Sequence, residues 1–196
     1  MNKDSGITPF ASKSPKSAVS YTVRRISLAF KWAGLIGFWT QLVLGVISTV
    51  MLLLAITNRT ERNSAGTGFS IFCAACGLIC LIVAIYFSYR YSKMARSFEN
   101  TNAVRPKRVE TIKLIKISVV VSLVGMFLTI IGAEAIAGIV LSKILAFDPA
   151  KIFNNQTSSE FVNSLDLFIV QANTNIIAAH FAGLVSSLWL LNRITK

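Results

Sequence analysis

Apolar residues in this chain fall into four long blocks, and the first two lack the polar stripe that a water-soluble helix carries along one side. The first block covers about residues 32–56, where only Gln41 and a few hydroxyls interrupt it. The second covers about 69–89 and ends in an aromatic cluster of Tyr86, Phe87, Tyr89 and Tyr91. The third, about 117–141, contains one carboxyl, Glu134. The fourth, about 167–191, is the most polar and holds Gln171, Asn173, Asn175 and His180. A helix crosses the roughly 30 Å hydrocarbon core of a bilayer in about 20 residues. Each block has that length, so the pattern predicts an all-α integral membrane four-helix bundle over residues 21–196.

The segments between the blocks set boundaries and orientation. Residues 1–20 are rich in Ser and Lys, include Pro9 and Pro15, and read as a disordered tail. Residues 21–31 (YTVRRISLAFK) alternate apolar and basic positions at helical spacing, which predicts a short interfacial helix before the first span. Residues 57–68 form a polar turn, 90–116 the longest and most basic connection, and 142–166 a loop containing Pro149. Of the 20 Lys and Arg residues, six lie in 1–31, eight in 90–116 and two at the C-terminus, which leaves four for the other two loops. Lysine and arginine resist translocation, so both termini and the middle loop are expected on the cytoplasmic or stromal side.

Composition agrees: 14% of residues are charged and 54% hydrophobic, with mean hydropathy +0.62. The net charge of +12 is compatible with nucleic-acid binding in principle. Here, however, the basic residues flank apolar runs and are not interleaved with base-reading side chains, so no nucleic-acid partner is expected. Arg24, Arg25, Lys31, Arg90, Lys93, Arg96, Arg105, Lys107 and Arg108 are instead candidates for docking lipid head groups or a partner. Bound lipid is expected.

A carboxyl in an apolar span costs about 2.5 kcal/mol or more on insertion scales, so Glu134 is a functional or paired group by default. Counting 1.5 Å per residue from opposite ends brings Glu134 level with Asn173 and Asn175, whose amides could bond it. Together with Gln171 and His180 they form a candidate intramembrane polar cluster. The polar side chains of the fourth span sort onto two faces, Gln171, Asn175, Ala182 and Ser186 on one and Asn173, His180 and Ser187 on the other. Such a helix should touch protein on both sides. As the single histidine, His180 could ligate a haem or chlorophyll metal, although no second histidine faces it. Cys73, Cys76 and Cys80 share a helix face, but with no fourth ligand nearby they read as small packing residues. No metal site and no catalytic residue is predicted. Phosphate-binding glycine runs, His/Glu zinc motifs and nucleophile elbows are all absent.

The segments FWTQLVLGVIS (38–48), GAEA (132–135) and VQANTNIIAAHFAGLVSSLWLL (170–191) resemble a family of four-span membrane proteins of cyanobacteria and plant plastids, a domain of unknown function. The resemblance spans residues 24–193. It implies a cyanobacterial plasma or thylakoid membrane, or a plastid envelope or thylakoid, and it implies no established activity. Three functions fit. One is a non-enzymatic subunit, scaffold or assembly factor with membrane-protein partners or a homo-oligomer. Another is a small oligomeric transporter or channel that uses Glu134 and the polar fourth span. The third is a pigment- or haem-binding protein with His180 as ligand.

Overall fold

The computed structural model describes residues 15–57, 65–99, 108–146 and 164–195. Four helices account for nearly all of them: α1 (Pro15–Thr57), α2 (Ala65–Glu99), α3 (Arg108–Leu145) and α4 (Ser164–Thr195). Within them the apolar stretches 31–57, 66–91, 109–145 and 165–194 are long and hydrophobic enough to cross a membrane, and they enclose the four spans read from the sequence. The protein is a four-span integral membrane protein.

Two boundaries differ from expectation. Residues 21–31 are not a separate helix, because α1 runs unbroken from Pro15. Proline is tolerated in a first helical turn, and nothing between Tyr21 and Trp32 breaks the ladder. The last six residues of the expected tail are therefore helical, while 1–14 lie outside the described residues. The third helix begins at Arg108, nine residues before its apolar block, with Glu110 in its first turn, where a carboxylate favours the helix dipole.

Packing follows a ring. α1 lies against α2, α2 against α3, α3 against α4 and α4 against α1, while α2 and α4 also meet across the centre. The buried positions explain the arrangement. On α4 they include Asp166, Ile169, Asn173, Ile176, His180, Gly183, Ser187 and Leu190, with Ala172 and Ala179 buried beside them, and on α3 Thr111, Ile115, Ser118, Ser122, Gly125, Thr129, Gly132 and Ile136. Both series alternate steps of three and four, the seam that lets neighbouring helices mesh at shallow angles. The outside is apolar instead: Phe72, Ile82 and Phe127 are each more than 60% exposed. Lipid tails are as apolar as leucine, so no hydrophobic force gathers these helices; small and polar residues that pack closely and bond across the seam do so.

Two apolar clusters bracket the interior. Ala33, Phe87, Tyr91, Ile115 and Leu190 form one at the end bearing the N-terminus of α1 and the C-terminus of α4, called the basic end below. Leu52, Ala55, Ile71, Ala74, Ile136, Ile169 and Ile176 form the other toward the opposite end. Beyond the second cluster Lys143 Nζ meets Asp166 Oδ2 at 2.5 Å and ties the end of α3 to the start of α4.

Candidate functional site

Between the two clusters the bundle axis is polar. Its layers can be followed along α4, where Ser187, His180 and Asn173 are seven residues apart, about 10 Å per step. Nearest the basic end, Ser118 Oγ and Ser187 Oγ share a hydrogen bond of 3.3 Å, with the Tyr91 hydroxyl beside them. One turn deeper, Ser88 Oγ donates to Gln41 Oε1 at 2.9 Å across α1 and α2. The other end of that amide, Gln41 Nε2, presses on Gly183 of α4, where a Cβ would collide with it. Only glycine allows this approach.

His180 occupies the next layer and is fully buried. Its Nε2 lies 3.1 Å from the Gly77 carbonyl. A carbonyl can only accept, so Nε2 carries the proton and Nδ1 is left as an acceptor. The ring packs onto Gly125 of α3, where a Cβ would strike both the imidazole and Cys80 Cβ. Asn173 closes the series: Nδ2 donates to the Ile169 carbonyl at 2.9 Å and to Ser70 Oγ at 3.4 Å. Gln41 Nε2, Ser122 Oγ, Asn173 Oδ1 and His180 Nδ1 are buried and have no hydrogen-bond partner among the described residues.

The structure divides the polar cluster expected from the sequence. Asn173 and His180 are on the axis, Gln171 and Glu134 are exposed on the outside, and Asn175 is half-buried. Gln171 Nε2 donates to Asn175 Oδ1 at 3.1 Å, one turn along the same helix. Neither Asn173 nor Asn175, the two amides that could bond Glu134, does so. Gly132 of α3 faces Asn173 Oδ1. Two residues further is 200° around the helix, however, and so Glu134 points away from the bundle. It has no hydrogen bond or ion pair among the described residues. Around it lie exposed Ile130, Ala137 and Leu141, and exposed Gly138, with no heavy atom within 4 Å of a would-be Cβ.

One face of α4 meets protein throughout and the other in part, since Gln171 is exposed. Asn173, His180 and Ser187 face the axis, and Ser186 packs against Gly37 of α1. A tetrapyrrole at His180 does not fit this packing, because Gly77, Gly125 and Cys80 occupy the space around the ring. Cys73 and Cys80 pack by their Cβ atoms against Gly132 and Gly125, seven residues apart on each helix. All three cysteines are free, and the described residues contain no metal-holding group of His, Cys, Asp and Glu. Of the basic docking candidates, Lys31, Arg90 and Lys93 are exposed. Arg24 and Arg25 lie in α1, Arg96 in α2 and Arg108 at the start of α3, whereas Arg105 and Lys107 fall outside the described residues.

Ser70, Ser88, Ser118, Ser122 and Thr129 were not singled out from the sequence, nor was the Lys143–Asp166 pair. The signal for the hydroxyls is the three-four spacing of small residues in the third block, from Ser118 through Ser122, Gly125 and Thr129 to Gly132.

Against known proteins, residues 20–195 match the family model described as "Protein of unknown function (DUF3611)". The chain is also 31% identical over 188 residues to "Protein TIC 21, chloroplastic" of Arabidopsis thaliana. That alignment covers 93% of this chain but 62% of the relative, so the chain spans less than two thirds of the relative's length. No solved structure matches the chain.

Proposed function

We propose that this chain, which belongs to the DUF3611 family, is a non-enzymatic subunit that docks a second membrane protein onto the outer face of α3. One observation carries the reading: Glu134 is the one acidic residue well inside the apolar stretches, and it points outward, without a partner among the described residues, from a face of α3 whose other exposed residues between Ile117 and Leu141 are apolar. Carboxyls facing lipid are costly, and membrane proteins place them toward protein or water. A partner span with a hydrogen-bond donor or a cation would cover it, and the notch at Gly138 lets that span come close. A second copy related by a two-fold axis is the poorer occupant, because it would bring like carboxyls together.

The transporter reading needs Glu134 on one path with Asn173 and His180, and Glu134 lies on the far side of α3 from that axis. The apolar cluster around Ile136, Ile169 and Ile176 also closes the axis beyond Asn173. The relationship to a chloroplast protein supports a plastid or cyanobacterial membrane as the setting. The excess of Lys and Arg supports both termini and the 90–116 connection on the cytoplasmic or stromal side. A cysteine introduced by Asn63→Cys should then react with an impermeant thiol reagent only from the opposite side.

Purification from the native membrane in mild detergent tests the role. The expected result is one stoichiometric partner that is lost with Glu134→Leu while the variant keeps its thermal stability. A partner-free monomer, or a complex indifferent to Glu134→Leu, would overturn the proposal.

A further inference from the structure

At the basic end, on the side formed by α1 and α4, a groove of about 340 Å³ opens outward between the two helices. Trp32, Ala33, Ile36, Val185, Ser186 and Trp189 line it. Its floor is the buried Ala33, and its walls are indoles left 60% and 48% exposed. Ser186, the one hydroxyl in the lining, is already committed to the Ala182 carbonyl at 2.8 Å. The slot is therefore apolar, and its volume falls in the range of small-molecule sites, about 300–1,000 Å³.

Two cations adjoin the lining residues along the helices. Lys31 directly precedes Trp32, and Arg193 follows Trp189 by one turn on the same face of α4. Both are exposed, and neither forms an ion pair among the described residues. No acid on α1 or α4 balances them at this end. The whole of α1 lacks Asp and Glu, and the single acid of α4, Asp166, sits in its first turn at the other end. Tryptophan favours head-group depth, and lysine and arginine there attract anionic lipid. A second copy in the groove would set its own Lys31 and Arg193 against these.

We propose that the groove binds one anionic phospholipid, with an acyl chain between Trp32 and Trp189 and the phosphate at Arg193 and Lys31. This site lies on α1 and α4, away from Glu134, and is independent of the docking role. The test is native mass spectrometry of the intact chain in mild detergent with phosphatidylglycerol and phosphatidylcholine of identical acyl chains. One phosphatidylglycerol should be retained per chain, at least tenfold in preference to phosphatidylcholine. The Lys31→Gln/Arg193→Gln double variant should lose that preference, and Lys116→Gln, on α3, should keep it. Equal retention of the two lipids, an equal loss in Lys116→Gln, or displacement by inorganic phosphate alone would overturn the proposal. Folding of the variants need not be assumed, because the same question can be put to the wild-type groove. In a Trp39→Phe background, brominated phosphatidylglycerol should quench the remaining indoles at lower mole fraction than brominated phosphatidylcholine. Identical quenching curves would refute the site.

Discussion

Gly125 and Gly138 lie on one helix and should respond in opposite ways to the same added methyl group. A Cβ at Gly125 meets the His180 ring and Cys80, both held by packing, whereas one at Gly138 meets nothing within 4 Å. Gly125→Ala should therefore destabilise the protein by about 1–3 kcal/mol, the usual range for overpacking. Gly138→Ala should be neutral, or stabilising by up to about 1 kcal/mol from helix propensity. Thermal unfolding in detergent, followed by circular dichroism, separates them; equal shifts would contradict the close packing of α3 on α4. Asn173→Ala should cost about 0.6 kcal/mol and at most about 1.7 in the same assay, the average and the maximum for hydrogen bonds between membrane helices. Glu134 shows where a residue-level reading from sequence stops. Depth follows from counting residues, but direction around the axis needs the seam, and in α3 that seam is written in Ser, Gly and Thr. Hydropathy does not separate such residues from their surroundings, and so it does not tell an outward carboxyl from an inward one.

At the scale of elements, the ends of helices carry information that span prediction leaves out. α1 continues 16 residues beyond Lys31 toward its N-terminus, and a reading based on apolar blocks divides that helix at the change in polarity. The hydrogen-bond ladder does not stop where hydropathy changes. The α3–α4 connection is closed by Lys143 and Asp166, whose side chains are 26% and 5% exposed. Exposed pairs contribute under about 1 kcal/mol and fully buried ones cost about 3–5 when broken, so Lys143→Met should destabilise by about 2 kcal/mol. Asp166 also has a further interaction of its own. A double-mutant cycle with Asp166→Asn should consequently recover only part of that loss as coupling, and a coupling energy of zero would show that the pair is incidental.

The whole molecule reverses the distribution of a soluble bundle, with Phe72, Ile82 and Phe127 outside and Gln41, Asn173 and His180 inside. Number and extent of the spans could be read from the sequence because both depend on long averages of hydropathy. The polar axis could be read only in part: Asn173 and His180 stand out in an apolar run, while serines at helical spacing do not. The outer surface is where function is expected, and Glu134 is the single exposed polar residue between Ile117 and Leu141 of α3. Photo-crosslinking in the native membrane tests that claim most directly. A photoreactive side chain would replace Ala137, beside Glu134, and separately Val46 on the outer face of α1. The account predicts one discrete adduct with a different protein from position 137, abolished by Glu134→Leu, and lipid adducts alone from position 46. Lipid adducts alone from both positions, or an adduct at 137 that persists in Glu134→Leu, would contradict it.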